Sequence, residues 1–210
     1  MSNKIRVVSF DVDGTLVDQG FNELIWENDI PALVAEKRGC DFLEAKDFCL
    51  FEYGKLGDKD LRWYEIEYWL KKFNIAIPAK DIFKKREQSI VVYRDVLPVL
   101  EKLKKQGFKI IVITCMPRIF LKEKIRKFDF HFDDVFSTIS DFKKVKSPEL
   151  YLHISKLIKA SPSDILHIGD HHILDYEFSL QAGYRSVLIE REKKTRDFSI
   201  SCLEEIFDFL

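Results

Sequence analysis

Short, uninterrupted apolar runs recur along this chain and alternate with segments whose apolar residues repeat at helical spacing. Runs of this length predict buried β-strands. The apolar runs lie at residues 5–10, 109–113, 135–139, 164–168 and 186–189. Helical spacing is found at residues 95–107, 118–127, 149–158, 174–182 and 202–209. Strands that alternate with helices predict an α/β fold, built on a doubly wound, Rossmann-like parallel sheet covered on both faces.

The stretch between the first two apolar runs has helical periodicity only. Residues 22–38 and 42–53 carry such a pattern, and so does a later segment preceded by Asp58. Pro31 predicts that the first of these helices breaks and starts again, because proline is favoured in the first turn of a helix. Asp58 is predicted to be an N-cap, because its side chain is able to accept from backbone N–H groups. At the other end of the chain, Ser201 and Glu204 are spaced as a capping box.

This helical stretch predicts a second domain. We assign residues 17–92 to an inserted α-helical domain, and residues 1–16 together with 93–210 to the α/β core. The insertion is rich in aromatic side chains, for which two roles are open. Large rings fill a small helical bundle well, which favours core packing. A stacking surface for bases is the alternative, and some of the rings are able to line a pocket.

The charge balance narrows the classes of partner. The 34 Lys and Arg residues nearly equal the 35 Asp and Glu residues, and the net charge of −1 gives no reason to expect nucleic-acid binding. Each apolar run is far shorter than the ~20 residues that cross a membrane as a helix, so no membrane partner is expected. The four cysteines form no CxxC pair. Reduced thiols are typical of a cytoplasmic protein, and we expect that location.

Two carboxylates follow the first apolar run, in the stretch FDVDGTLVD at residues 10–18. In extended backbone, Asp11 and Asp13 place their side chains on the same side. Gly14 permits a sharp turn, and Thr15 adds a hydroxyl. Open α/β sheets bind ligands at the carboxyl ends of their strands. The pair therefore predicts a site with one nucleophilic acid and one that transfers protons. An acidic turn without chemical function is the alternative, because Asp and Gly are common in turns.

A hydroxyl and a lysine cluster come further along the chain. Thr114 follows the second apolar run and precedes Cys115. The hydroxyl of a threonine is able to donate a hydrogen bond to an oxygen of a bound ligand. Lys146 lies just before a helix that starts with proline, and its ammonium would neutralise charge on a neighbouring carboxylate. Lys144, and less readily Lys143, are alternatives to Lys146, and a solvated lysine patch is a further one.

A second pair of acids follows the fourth apolar run. Asp170 and Asp175 are separated by four residues in the stretch GDHHILD. Carboxylate oxygens are the ligands that a hard divalent cation such as Mg²⁺ prefers, so these acids predict a metal site. A simple turn is the alternative. Adjacent histidines on a loop do not readily bind one metal together, and we assign no catalytic role to His171 or His172. Contact of one of them with substrate or solvent near the site is left open.

Taken together, these four segments resemble the motifs of the haloacid dehalogenase superfamily of phosphatases and phosphotransferases. Residues 11–15 match its first motif, DxDGT, and Thr114 matches the Ser or Thr of the second. Lys146 best matches the lysine of the third, although Ser147 stands where proline is common. Residues 169–175 match the fourth. The resemblance covers nearly the whole chain, and the helical insertion resembles the helical cap of this superfamily.

The resemblance implies phosphoryl transfer through a covalent intermediate. Asp11 would carry the phosphoryl group as an aspartyl-phosphate, and Asp13 would act as general acid and base. Mg²⁺ would be bound by Asp11, Asp170 and the backbone carbonyl of Asp13, with Asp175 acting indirectly. The further catalytic residues would be Thr114 and Lys146. The substrate-binding residues would be Thr15, Thr114, Cys115 and Lys146.

The reaction that the resemblance implies is hydrolysis of a small phosphomonoester. Asp13 favours it, because the dehalogenases and phosphonatases of the superfamily lack an acid at that place. A helical cap excludes water and contacts the leaving group. Two alternatives remain: a phosphomutase that uses the same residues, and a catalytically silent binding module on the same fold. The sequence leaves the physiological substrate and the oligomeric state open.

Overall fold

The computed structural model describes residues 4–192, 194–196 and 198–210. Its strands, within these ranges, are β1 Val7–Phe10, β2 Lys109–Thr114, β3 Asp134–Ser137, β4 Ile165–Gly169, β5 Arg185–Ile189 and β6 Ser199–Ile200. They form one sheet in the order β3-β2-β1-β4-β5-β6. Every neighbouring pair is parallel. The predicted parallel α/β fold is confirmed. β6 is not among the predicted strands, because two residues are too few to form a recognisable apolar run.

Helices make up most of the rest of the described chain. The α-helices are α1 Gly20–Glu23, α2 Ile30–Arg38, α3 Phe42–Gly54, α4 Leu61–Tyr64, α5 Ile66–Lys72, α6 Ala79–Arg86, α7 Val96–Lys105, α8 Arg118–Ile125, α9 Thr138–Phe142, α10 Pro148–Leu157 and α11 Phe178–Gln181. Two π-helical segments, Leu24–Asp29 and His172–Glu177, precede α2 and α11. The 3₁₀ segments are Glu87–Ser89, Pro162–Asp164 and Leu203–Phe209. None of the helices described is both long and apolar enough to cross a membrane.

Successive residues of β1 face opposite sides of the sheet and pack into two apolar cores. Val8 and Phe10 belong to the larger core, to which α7 and α8 also contribute. Val7 belongs to a second core on the other face, with residues of α10. All four residues of β1 are buried. The sheet is therefore covered on both faces, as the continuous apolar runs predict.

Between β1 and α7 the chain folds into helices. Among the described residues of this stretch, pairing of the β type is confined to isolated bridges, one of which links Val17 to Val92. Pro31 does not break the first helix, which runs from α1 through the π segment into α2. The proline lies in the first turn of α2. The wider turn before it accommodates the missing N–H, so the predicted break is wrong.

Two predicted caps also differ from the structure. Asp60, rather than Asp58, caps α4, and its side chain accepts from the backbone N–H of Arg62 at 2.9 Å. At the last segment, Glu205 rather than Glu204 bonds back to the N–H of Ser201 at 2.8 Å. Both predictions identified the right turn but the wrong acid, because several acids stand within reach and only the folded backbone selects one.

Aromatic rings form the centre of the helical stretch. Trp69 is fully buried, and its ring packs edge-on against Tyr53 at a centroid distance of 4.7 Å. Phe73 lies 5.8 Å from the same ring. The indole N–H of Trp69 donates to the carbonyl of Trp63 at 3.1 Å, so its polar group is satisfied. Core packing is thus confirmed for these rings, whereas Trp26, Trp63 and Tyr64 line a cavity described below.

We expect Trp69→Ala to lower the free energy of unfolding by about 3–5 kcal/mol, because it removes a large ring from a packed core and leaves a cavity. Phe51→Ala is the matched control, since Phe51 lies in the same stretch but is 65% exposed. That control should cost less than about 1 kcal/mol. Urea denaturation followed by tryptophan fluorescence and circular dichroism measures both. Equal losses would mean that Trp69 does not anchor this part of the fold.

Candidate active site

A cavity of about 540 Å³ opens at the carboxyl edge of the sheet. Its lining combines residues that follow the strands with residues of the helical stretch. The core contributes Asp11, Asp13, Thr114, Cys115, Met116, Pro117, Phe120, Lys146, Asp170, His171, Leu174 and Asp175. The chain between β1 and α5 contributes Gln19, Asn22, Trp26, Gly57, Asp58, Trp63 and Tyr64. Three of the four predicted segments thus supply acids or a hydroxyl to one cavity, and the lysine segment supplies Lys146.

The topology of the sheet brings these segments together. Asp11 directly follows β1, Thr114 ends β2 and Asp170 directly follows β4. The register pairs Phe10 with Val112 on one side and with Ile168 on the other, so the three polar residues stand at nearly the same height. β1 lies between β2 and β4, where the strand order reverses. Such a reversal leaves a crevice at the sheet edge, which is where this cavity lies.

Lys146 reaches into the acid cluster from the loop before α10. Its Nζ donates to Oδ1 of Asp11 at 2.5 Å and also to Oδ1 of Asp175. Ser147 is the N-cap of α10, and its side chain accepts from the N–H of Leu150. Ser147 thus caps α10 at the position where proline is common in the superfamily. Lys146, the preceding residue, still reaches the acids. Lys144 is exposed. Of the three candidate lysines, Lys146 is the one that contacts the acids.

Burial and close charges shift the acids in opposite directions. Burial raises the pKa of Asp11 to about 6, with Lys146 opposing the increase and Asp175 adding to it. Burial, Asp11 and Asp175 together raise the pKa of Asp170 well above its usual range. Burial would also raise the pKa of Asp175, but Lys146 and His167 hold it below its usual range. Three ionised carboxylates would carry more negative charge than Lys146 neutralises, and a bound cation would stabilise that form of the cluster.

The donor set fits Mg²⁺. Carboxylate oxygens of Asp11, Asp170 and Asp175 all lie within 4.8 Å of one another. All three side chains of this group offer hard oxygen donors. Such donors suit Mg²⁺ better than zinc or copper, which prefer nitrogen or sulfur. Gly14 makes room for this cluster, because a Cβ at its position (φ 67°) would lie 2.1 Å from Oδ2 of Asp170. No larger residue would let the backbone approach that carboxylate so closely.

A buried network holds Asp175 and was missed in the sequence. His167 lies on β4 and is fully buried. Its Nε2 is 3.2 Å from Oδ1 of Asp175, and its Nδ1 is 2.7 Å from the hydroxyl of Ser9. The other oxygen of Asp175 accepts from the N–H of His171 at 3.0 Å. With both oxygens engaged, Asp175 is suited to orient Lys146. A histidine inside an apolar run was the available signal, since a buried polar group needs partners.

Asp13 is held by a second buried lysine. Lys124 lies on α8, is fully buried and donates to Oδ1 of Asp13. Asn22, in α1, donates to Oδ2 of Asp13 at 2.8 Å and accepts from Lys124 at 2.9 Å. The three side chains form a closed triangle that joins the start of the helical stretch to the core. Neither partner is predicted from the sequence, because a lysine on an amphipathic helix ordinarily faces solvent.

The remaining predicted residues are placed differently. The Thr114 oxygen accepts from the N–H of Met116 at 3.2 Å, which leaves its hydrogen to donate. Cys115 lines the cavity, and burial raises the pKa of its thiol. Thr15 does not line the cavity, because its side chain is fully buried and its hydroxyl has no partner among the described residues. Substrate binding by Thr15 therefore gains no support from the geometry and stays a prediction.

Comparison with known proteins places the chain in a family. A family model described as haloacid dehalogenase-like hydrolase matches residues 5–183. The chain belongs to this family. The matched range includes all four segments that line the cavity, and it confirms the resemblance. The chain is therefore a hydrolase of the haloacid dehalogenase (HAD) superfamily.

Curated relatives are named for hydrolysis of phosphate esters or anhydrides. GMP/IMP nucleotidase YrfG of Escherichia coli (strain K12) is 29% identical over 110 residues, which are 52% of this chain and 48% of that protein. The chain thus matches about half the length of the nucleotidase. Pyrophosphatase PpaX of Bacillus mycoides (strain KBAB4) is 29% identical over 198 residues, covering 93% of this chain and 88% of the pyrophosphatase.

Solved structures share the fold. A HAD phosphatase from Thermococcus onnurineus superposes with a TM-score of 0.85 at 22% identity, covering 98% of this chain and 97% of that one. The 2-haloacid dehalogenase of Pseudomonas syringae pv. Tomato DC3000 gives a TM-score of 0.60 at 17% identity, covering 97% of each chain. Phosphatases and dehalogenases share this architecture, so the fold alone does not decide the reaction.

We expect Lys146→Ala to lower the free energy of unfolding by about 3 kcal/mol, because it leaves Asp11 and Asp175 buried without their cation. Lys144→Ala is the matched control from the same loop and should change it by less than about 0.5 kcal/mol. Thermal and urea denaturation at neutral pH measure both variants. A loss for Lys144→Ala as large as that for Lys146→Ala would contradict the assignment of Lys146 as the partner of the acids.

Proposed function

We propose that this chain is a magnesium-dependent phosphatase that hydrolyses a small phosphomonoester through an aspartyl-phosphate on Asp11. The observation that carries the proposal is the placement of Asp11 and Asp13 on the lining of one cavity, with Lys146 bonded to the first acid and Lys124 to the second. The names of the curated relatives support hydrolysis at phosphorus.

In the first half-reaction, a carboxylate oxygen of Asp11 bonds to phosphorus and the bond from phosphorus to the leaving oxygen breaks. The ion pair with Lys146 fixes the rotation of the Asp11 carboxylate and offsets part of the repulsion between two anions. Asp13 donates a proton to the leaving oxygen. Thr114 donates a hydrogen bond to an oxygen of the phosphoryl group, for which its hydrogen is available.

In the second half-reaction, water attacks the phosphorus of the aspartyl-phosphate and gives a proton to Asp13. The bond between phosphorus and the Asp11 oxygen breaks, which restores the carboxylate and releases inorganic phosphate. Asp13 is thereby returned to its protonated form for the next substrate. One acid at a fixed position serves both half-reactions, and the contacts of Asp13 with Lys124 and Asn22 hold it at that position.

Asp11, Asp170 and the backbone carbonyl of Asp13 would hold Mg²⁺, with Asp175 acting through the positions of Lys146 and of the neighbouring backbone. When bound, the cation supplies positive charge against the repulsion between the Asp11 carboxylate and the phosphate dianion. The raised pKa values of Asp11 and Asp170 support this assignment, because a cation would favour the ionised forms that burial disfavours.

We also propose that residues 17–92 form a cap domain over the α/β core, as the sequence predicts. Support comes from Asn22, Trp26 and Trp63, which belong to this stretch and line the cavity. A cytoplasmic location is part of the same proposal, and it is supported by cysteines that are free in the structure.

Asp11→Asn should lower phosphate release from p-nitrophenyl phosphate more than about 1,000-fold, because the amide does not form the covalent intermediate. Asp18→Asn is the control, since Asp18 belongs to the same stretch but does not line the cavity. It should change the rate less than about threefold. Assays contain Mg²⁺, and circular dichroism verifies that both variants fold. Retained activity of Asp11→Asn would exclude the covalent route, and an isomerised sugar phosphate without free phosphate would indicate a mutase instead.

Lys124→Met should impair leaving-group protonation, because Asp13 loses a partner that fixes its position. We expect kcat/KM for an alkyl phosphate to fall about 10–100-fold, with a much smaller fall for p-nitrophenyl phosphate, whose leaving group needs no proton. Lys122→Met, an exposed position on the same helix, should leave both values unchanged. Equal losses on the two substrates would show that Lys124 supports the fold rather than the position of Asp13.

A further inference from the structure

The cavity has two chemically different ends. The acids, Thr114 and Lys146 stand at the end formed by the strand termini. The larger part of the remaining lining is aromatic or apolar and includes Trp26, Trp63, Tyr64, Met116 and Phe120. Its polar members are Gln19, Asn22, Asp58 and His171. A phosphoester bound with its phosphorus near Asp11 would place its leaving group against this second set of residues. That set therefore decides which alcohols the site accepts.

The aromatic residues of the lining pack against neighbouring rings. Trp26 packs edge-on against Tyr53 at 5.6 Å and lies 6.1 Å from Phe120. Trp63 packs edge-on against Tyr64 at 4.9 Å. The Tyr64 hydroxyl donates to the carbonyl of Asp58 at 2.9 Å, so its polar group is satisfied. These rings are held by neighbours rather than by the substrate, and a preformed apolar surface binds a ring at low entropic cost.

No lysine or arginine without an acidic partner is found among the described residues of the cavity lining. Among the described residues that line the cavity, Lys146 is the one lysine or arginine. It is already paired with Asp11 and Asp175. The helical stretch contributes a carboxylate, Asp58, which lies 3.3 Å from Nε2 of His171. Arg62, close by in sequence, is paired with Asp60 outside the cavity. A second anion on a substrate would lose its water without gaining a cationic partner.

We propose that the site selects phosphomonoesters whose alcohol is uncharged and carries a planar ring, and that it discriminates against substrates with a second anionic group. This inference deepens the proposed function and rests on it. The volume of about 540 Å³ accommodates a phosphoryl group together with a ring system. Phosphorylated carboxylic acids and inorganic pyrophosphate are expected to be poor substrates, because each carries a second anionic group.

Two primary alkyl phosphates test the inference at matched intrinsic reactivity. Benzyl phosphate has a neutral ring, whereas 2-phosphoglycolate has a carboxylate. With Mg²⁺ and wild-type protein, kcat/KM for benzyl phosphate should exceed that for 2-phosphoglycolate by about 100-fold or more, as expected for one unpaired buried charge. Pyrophosphate, measured in parallel, should also be a poor substrate. Equal or higher kcat/KM for either anionic substrate would overturn the inference.

Variants identify the residues responsible. Trp63→Ala should lower kcat/KM for benzyl phosphate about 10-fold more than for methyl phosphate, because methyl phosphate has no ring to contact the indole. Asp58→Asn should raise kcat/KM for 2-phosphoglycolate relative to benzyl phosphate. Phe51→Ala, an exposed aromatic residue outside the cavity, should change neither ratio. Equal effects of Trp63→Ala on both neutral substrates would overturn the assignment of the ring contact.

Failure of the inference and failure of the proposed function give different results. Hydrolysis of p-nitrophenyl phosphate without preference between benzyl phosphate and 2-phosphoglycolate would overturn the inference and leave the phosphatase proposal intact. Absence of turnover of every phosphoester with Mg²⁺ would overturn both.

Discussion

The paired contact of Lys146 with Asp11 and Asp175 is the interaction on which the site depends. It joins the end of β1, the loop before α10 and the segment after β4, which are distant in sequence. Buried ion pairs add little net stability, because desolvation offsets most of the attraction. Their geometry is nevertheless demanding, since each partner is unfavourable without the other. The ion pairs therefore contribute more to the relative positions of these three elements than to the free energy of unfolding.

Burial and nearby charges also determine the proton affinities of the acids in the cavity. Burial disfavours the ionised forms of Asp11 and Asp170, while Lys146 favours ionised Asp175. The outcome is a set of carboxylates with unequal proton affinity within a few ångströms. A cluster of buried carboxylates of this kind would favour a bound cation, and the added positive charge would in turn favour an anionic substrate. Electrostatic stabilisation by preorganised groups is usually the largest single contribution to enzyme catalysis.

The hydrogen bonds among Asp13, Asn22 and Lys124 link the helical stretch to α8 and to the loop after β1. Asn22 belongs to the first helix after β1, whereas Lys124 belongs to α8 of the α/β core. Asp13, for which we propose the role in proton transfer, is therefore held by one residue of the helical stretch and by one residue of α8. Placement of the helical stretch and placement of Asp13 are coupled by these hydrogen bonds. A shift of the helical stretch against α8 would therefore change the position of Asp13.

The sequence by itself determined the parallel α/β fold, the helical stretch after β1 and the acids of the site, because apolar runs and strand-end carboxylates are local patterns. It also ranked Lys146 first among three lysines. Only the tertiary structure decided that Lys146 bridges two acids, that His167 and Lys124 are buried partners, and that Thr15 lies off the cavity. These facts depend on contacts between residues far apart in the chain. No periodicity or spacing encodes such contacts, since burial of a polar side chain is set by what folds over it.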